Sequence, residues 1–145
     1  MYYNRCMRYV FLFLIQFTWG ILQNILGLFL FVFLNLIRKR KVFFYHGALV
    51  MRWDILSSMG LGMFIFMGHN CQDERILVHE YGHTIQSIIL GPLFLFVIGI
   101  PSFIWASRPM SHYRRKKHLR YFEFYPERWA SNLGERVLHK ESAHY

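Results

Sequence analysis

The chain has 145 residues, room for one domain and a membrane segment but not for two domains. Its residues are 54 % apolar, with fifteen Phe, nine Tyr and four Trp, yet the formal net charge is +9, a mixture foreign to ordinary soluble domains. Two cysteines, Cys6 and Cys71, exclude a disulfide framework and a CxxC metal site; the basic residues abut apolar runs without a nucleic-acid fold signature, so the expected partner is membrane lipid and not nucleic acid.

From Tyr9 to Ile37 there is no charge in 29 residues. At about 1.5 Å per residue this exceeds a hydrocarbon core of roughly 30 Å, which predicts one tilted spanning helix, too long for a signal peptide. Gln16, Gly20, Gln23 and Gly27 recur on one stripe with Asn24 beside them. Such a face docks protein and not lipid, either the rest of the chain or a second copy in a homo-oligomer. Arg38 to Lys41 close the helix, and four basic residues there against Arg5 and Arg8 in front put its C-terminal side in the cytoplasm. Residues 1–41 thus read as an N-terminal anchor with a basic flank, and 42–145 as the working domain.

Between Val42 and Gly68, apolar runs of five or six residues alternate with Gly47, Gly60 and Gly62. This predicts a small antiparallel sheet with turns at the glycines. A second membrane helix over Ile55 to Met67 is the weaker alternative: it has only 13 residues, two of them glycine.

Asn70 to Asp73 carry turn chemistry, and Asp73 is the expected N-cap of a helix to about Leu90, ended or kinked by Gly91-Pro92. This helix contains HEYGHTIQS, and His79 and His83 lie one turn apart on one face. Two imidazoles so placed can meet one zinc ion about 2 Å from each. Glu80 is rotated about 100° from His79, able to move a proton for a zinc-activated water without binding the metal itself. The expected chemistry is hydrolysis of a peptide bond. Compact Gly82 between the ligands leaves room for a neighbouring helix. In the metzincin pattern a Gly and a third His follow the motif, but here those positions hold Gln86 and Ile89; no Asp-Gly pair of the site-two proteases occurs.

Ile88 to Ala106 is a 19-residue apolar run broken at Gly91-Pro92 and Gly99-Ile100-Pro101. Basic flanks on both sides favour a re-entrant or interfacial hairpin over 88–106, with a true span as the alternative. The basic segment Arg108 to Arg120, with His112 and His118, then lies against anionic headgroups or in solvent. His46, His69, His139 and Glu135 read as structural or solvated groups.

In Phe124-Tyr125-Pro126-Glu127-Arg128-Trp129-Ala130-Ser131-Asn132-Leu133-Gly134, the proline suits a first helical turn and sets Glu127 near the helix N-terminus. Glu123, four residues earlier, is the second candidate. The segment resembles the E-x-x-A-D-x-x-G/A helix of membrane gluzincins typified by CAAX-prenyl proteases. The chain is also similar to small bacterial membrane proteins that share HEYGHTIQS and a later E-x-W-A. The resemblance covers about Leu61 to Gly134. It implies an α+β, membrane-anchored, minimal zincin-like metallopeptidase of the bacterial inner membrane, its site on the cytoplasmic side. By that match His79, His83 and Glu127 are zinc ligands and Glu80 the general base. Ser131 stands where the pattern has an aspartate that orients a ligand histidine, leaving Ser131 or Asn132 to do so. Met63, Phe64, Ile65 and Phe66, on the strand before the motif helix, are candidates to pair with an extended peptide or membrane-protein substrate. The alternative is a non-enzymatic membrane protein with a structural or vestigial metal site.

Overall fold

Trp19-Gly20 divides the N-terminal apolar segment. Helix α1 (Tyr2–Thr18) stops there, and α2 (Ile21–Ile37) restarts at 99° to it, so the single straight helix expected from the sequence is two. A break of this kind frees backbone carbonyls, and Asn24 answers them. Its Nδ2 lies 2.8 Å from the carbonyls of both Gln16 and Gly20, and its Oδ1 accepts from the Met63 amide at 2.9 Å. The stripe of Gln16, Gly20, Gln23, Asn24 and Gly27 does face protein: Gln23 Nε2 donates to Ser87 Oγ at 2.8 Å, and Gln16 Nε2 to the Thr84 carbonyl at 3.2 Å. The computed structural model describes residues 2–55, 57–69 and 73–144, without the side chains of 2–6, 8 and 9; Asn70, Cys71 and Gln72, most of the turn expected at Asn70 to Asp73, lie outside them.

Strands β1 (Val42–Tyr45) and β2 (Ala48–Arg52) form a hairpin with Tyr45 opposite Ala48. His46 and Gly47, at φ 49° and 91°, make the two-residue turn that matches strand twist. Strands β3 (Met59–Leu61) and β4 (Phe64–Met67) form a second hairpin around Gly62. The sheet order is β1-β2-β4-β3, with β4 parallel to β2. The sheet is therefore mixed, not antiparallel throughout. Two local hairpins are joined along β2 and β4, whose inward side chains (Val50, Met51, Ile65, Phe66) are fully buried. One sheet face packs Val50, Ile65 and Met67 against Leu77 and Tyr81. The other packs Met51, Phe64 and Phe66 against Leu30, Phe31 and Leu34 of α2.

Helix α3 (Glu74–Leu90) starts where expected, with the Asp73 carboxylate accepting from the Arg75 amide at 2.9 Å. Gly91, at φ 52°, ends it; a short 3₁₀ turn and the wide π turn Leu95–Gly99 lead into α4 (Ile100–Ala106), and the segment Leu95–Ala106 is bent by 119° from Glu74–Leu93. Helix α5 (Arg108–Lys117) and a 3₁₀ turn (Tyr121–Glu123) then deliver α6 (Tyr125–Leu138) back beside α3. Tyr125 Oη donates to the Val97 carbonyl at 2.6 Å and Trp105 Nε1 to the Tyr121 carbonyl at 3.0 Å, fixing that return. The architecture is α+β, with six α-helices and a small mixed sheet among the described residues. No single described helix is long and apolar enough to cross a membrane, although the two bent pairs, α1–α2 and 74–106, have the combined length and composition.

Candidate metal centre

Small residues set the site. Helices α3 and α6 pack backbone to backbone: a Cβ on Gly82 would run into the Ala130 carbonyl, and one on Gly134 into the Val78 carbonyl. This close packing, with Pro126 opening α6, brings Glu127 under the two motif histidines. Glu127 Oε2 lies 3.0 Å from His79 Nε2 and 3.6 Å from His83 Nε2. Bonds of about 2 Å at tetrahedral angles would hold ligand atoms roughly 3.3 Å apart, a value these two distances bracket.

Hydrogen bonds behind the rings fix their tautomers. The Ser131 hydroxyl donates its one proton to the Ala143 carbonyl at 3.0 Å, so toward His79 Nδ1, 2.9 Å away, it accepts. Gln86 Nε2 donates to the Pro126 carbonyl at 2.8 Å, which leaves Oε1 to accept from His83 Nδ1 at 2.7 Å. Both Nδ1 atoms therefore carry protons, and both Nε2 lone pairs point at a carboxylate. That is repulsive unless a cation or a proton sits among them. Glu127 Oε1 and Glu80 Oε2 are buried acceptors without a well-formed hydrogen bond, although the Tyr121 phenol faces the Glu127 carboxylate and the Gly60 amide that of Glu80. The His79–His83–Glu127 group is buried, its ligand atoms all lie within 4.8 Å of one another, and it could hold a metal ion.

Electrostatics agree with a site built around positive charge. Burial pulls the His83 pKa down, but the hydrogen bond and charge of Glu127 more than reverse this and raise it to about 9. Burial likewise opposes ionisation of Glu127, yet its bonds to His79 and His83 hold it well below the usual carboxylate range. His79 is lowered, chiefly by burial. Glu80 is pushed up to about 7 by burial, against the pull of His83.

Glu80 and His83 lie directly beneath β3. A Cβ on Gly60 would meet the Glu80 carbonyl at 2.7 Å and His83 Cβ at 2.9 Å, so only glycine lets the strand pass this close. From the 3₁₀ turn, the Phe122 ring stands edge-on to His79 at 4.9 Å, and burial lifts the Tyr121 phenol far above its usual range, with the Glu127 and Glu80 carboxylates adding to the rise.

Of the residues singled out from sequence, His79, His83, Glu127 and Ser131 meet at one point with Glu80 adjacent. Asn132 does not: it is exposed, one position past the contact with His79. Glu123 is exposed and ion-paired to Arg120 at 2.7 Å, away from the histidines. Met63 is the turn residue bonded to Asn24, and Phe64, Ile65 and Phe66 lie on β4, which pairs with β2 on one side and β3 on the other. Strand β4 has no free edge to offer a peptide; the edge strand beside the motif helix is β3. Gln86, Gly60 and Phe122 were not anticipated. Gln86 had a signal, since position i+3 from His83 shares its helix face.

No protein-family model, curated protein or solved structure matches the chain.

Proposed function

We propose that this protein is a membrane-associated, zinc-dependent metallopeptidase of the zincin type. The observation that carries the reading is the pair of buried imidazoles, each held at Nδ1 by Ser131 or Gln86, that turn their Nε2 atoms to Glu127, with Glu80 beside them. Two imidazoles and one carboxylate form a donor set suited to zinc. Zinc held there would supply Lewis acidity toward a peptide carbonyl and a water. Glu80, with a pKa near neutrality, takes a proton from attacking water at its carboxylate and returns it to the leaving amine. Ser131 and Gln86 orient the histidines, and Phe122 excludes bulk water. As the edge strand beside Glu80, β3 offers an extended peptide a place to pair.

Exposed apolar side chains support the membrane association: Phe29, Phe33, Leu36 and Ile37 on the outer face of α2, and Leu93, Phe96, Phe103 and Ile104 on the 91–106 turn. Together with the basic flanks they favour a membrane with the site on its cytoplasmic side and helix α3 itself packed in the protein; the bacterial inner membrane is what the sequence resemblance implies. The substrate class that fits is a peptide or membrane protein presented near that surface.

One observation favours a second reading, a structural metal site in a non-enzymatic protein: His79, Glu80, His83 and Glu127 are all buried, with the Phe122 ring against His79. Structural zinc sites are closed, whereas catalytic ones keep a position open. Metal analysis and peptide-library cleavage separate the two. The catalytic reading expects near-stoichiometric zinc, lost in Glu127→Ala, and cleavage lost in a Glu80→Gln variant that keeps its zinc. Zinc without cleavage selects the structural site; absence of any bound metal overturns both.

A further inference from the structure

The segment after α2 does more than end a helix. Arg38, Lys39, Arg40 and Lys41 cross the end of β2 and, with Arg52 and Asp54, line a surface cleft of about 210 Å³. At roughly 30 Å³ per water molecule this admits a hydrated phosphate and part of what it is attached to. Five cations there are answered by one carboxylate. Asp54 binds Arg40 Nη2 at 2.9 Å and Arg38 Nη1 at 3.7 Å. The Arg40 side chain is only 12 % exposed, and its Nε donor is buried without a partner. Arg38 and Arg52 stay exposed and able to close on a ligand, Arg38 by leaving its long, exposed pair with Asp54.

The surroundings of the cleft distinguish its occupant. Leu30, Phe31 and Leu34 of α2 face the sheet, leaving Phe29, Phe33, Leu36 and Ile37 as an exposed ridge that runs into the basic segment; Phe44, 76 % exposed, flanks it on β1. A free phosphate or an RNA strand would use the cations and leave the ridge bare. A phospholipid uses both, its headgroup in the cleft and its acyl chains along α2.

We propose that this cleft is a binding site for the phosphate of an anionic phospholipid headgroup, with a guanidinium fork from Arg38 and Arg52 contacting its oxygens. The proposal rests on the membrane association argued above, but not on the metal site. It gives α2 a fixed depth and orientation at the bilayer surface.

The test uses the purified full chain in mild detergent, titrated with a short-chain, water-soluble phosphatidylglycerol and with its phosphatidylcholine counterpart. Phosphatidylglycerol is expected to bind more tightly, and Arg38→Gln/Arg52→Gln to weaken it about thirtyfold while leaving phosphatidylcholine unchanged. Both positions are exposed, so the variant folds. Arg115→Gln/Lys116→Gln, which removes the same charge from α5, is expected to change affinity less than about twofold. Equal weakening by the α5 pair means diffuse attraction and overturns the site. So does equal affinity for the two lipids, or inorganic phosphate or an RNA oligonucleotide binding as tightly as the lipid. Flotation with phosphatidylcholine vesicles reports the membrane reading separately: failure there removes the membrane, while flotation without headgroup discrimination removes only the cleft.

Discussion

Gly82 and Ala130 touch through their backbones, and no side chain of any size fits between them. The contact lies between the motif histidines and one turn beyond Glu127, so it sets the distance between the two halves of the site. Gly82→Ala would push α3 and α6 apart, and since the clash is with backbone no rotamer relieves it. Overpacking costs about 1–3 kcal/mol, and this position belongs at the upper end. The expected result is a destabilised protein that binds metal poorly, read by thermal unfolding and metal content. Gly99→Ala is the control: its added methyl would find nothing closer than Leu95 Cδ2 at 3.4 Å, so stability should hold or rise.

Removing Glu127 tests the site from the other direction. Glu127→Gln keeps the shape but loses the charge that holds His83 protonated and completes the donor set. Metal affinity should fall by at least about a hundredfold, as isothermal titration would read. Glu123→Gln, which breaks only an exposed pair with Arg120, should leave it unchanged.

Much of this site was legible because its parts are local. HExxH on one helix face, an Asp73 cap, a proline opening α6 and a glycine at the point of contact are each written within a few residues. What escaped depends on distant segments meeting. The parallel pairing of β2 with β4 has no turn signature, since the two strands are joined through the 53–63 connection and β3. The break at Trp19-Gly20 was hidden in an unbroken apolar run, where Asn24 reads as one polar residue on a stripe and not as the cap of a severed helix. Asn132 looked equivalent to Ser131, but only Ser131 has a carbonyl, that of Ala143, to take its proton and make it an acceptor for His79.

Metal binding should depend on pH in a defined sense. His83 without metal is raised from 6.5 to about 9, so it is protonated at neutral pH and must release that proton to coordinate. Apparent affinity should therefore rise by about tenfold per pH unit through neutrality and level off as pH approaches His83's own value. The metal-free protein shows the opposite trend: stability from the His83–Glu127 pair is full below 6.5 and is lost as pH rises through about 9. Calorimetry in buffers of different ionisation enthalpy counts the released proton. A flat affinity profile between pH 6 and 8 would remove the Glu127–His83 pairing from this account.

Gln86 should matter as much as a ligand's neighbour does elsewhere, although it never reaches the ion. It accepts from His83 and donates to the carbonyl of Pro126, one residue before Glu127, so a single side chain registers α3 against α6. Gln86→Leu should lower metal affinity by about tenfold to a hundredfold. Ser131→Ala should do the same through His79. The double variant should lose less than the product of the two, because both act by fixing one tetrahedral point.

Asn24 is the remote residue on which the site depends most. Its amide closes the break between α1 and α2, and its Oδ1 holds the Met63 amide in the β3–β4 turn. That turn places Gly60 against Glu80 and His83. Asn24→Leu would take the side-chain bond from the Gln16 carbonyl and from the Met63 amide, each a desolvated group costing about 1–3 kcal/mol before relaxation, whereas the Gly20 carbonyl keeps the backbone amide of residue 24 at 3.2 Å. A net loss of about 3 kcal/mol is expected, read by denaturant unfolding in detergent. Asn35→Leu is the matched control on the same helix: Asn35 is exposed and makes one long bond, 3.4 Å to the Arg40 amide, so its loss should stay within about 0.5 kcal/mol. If the two variants proved equally stable, the severed helix would be held by packing alone, and Asn24 would have no hold on the strand that passes over the site.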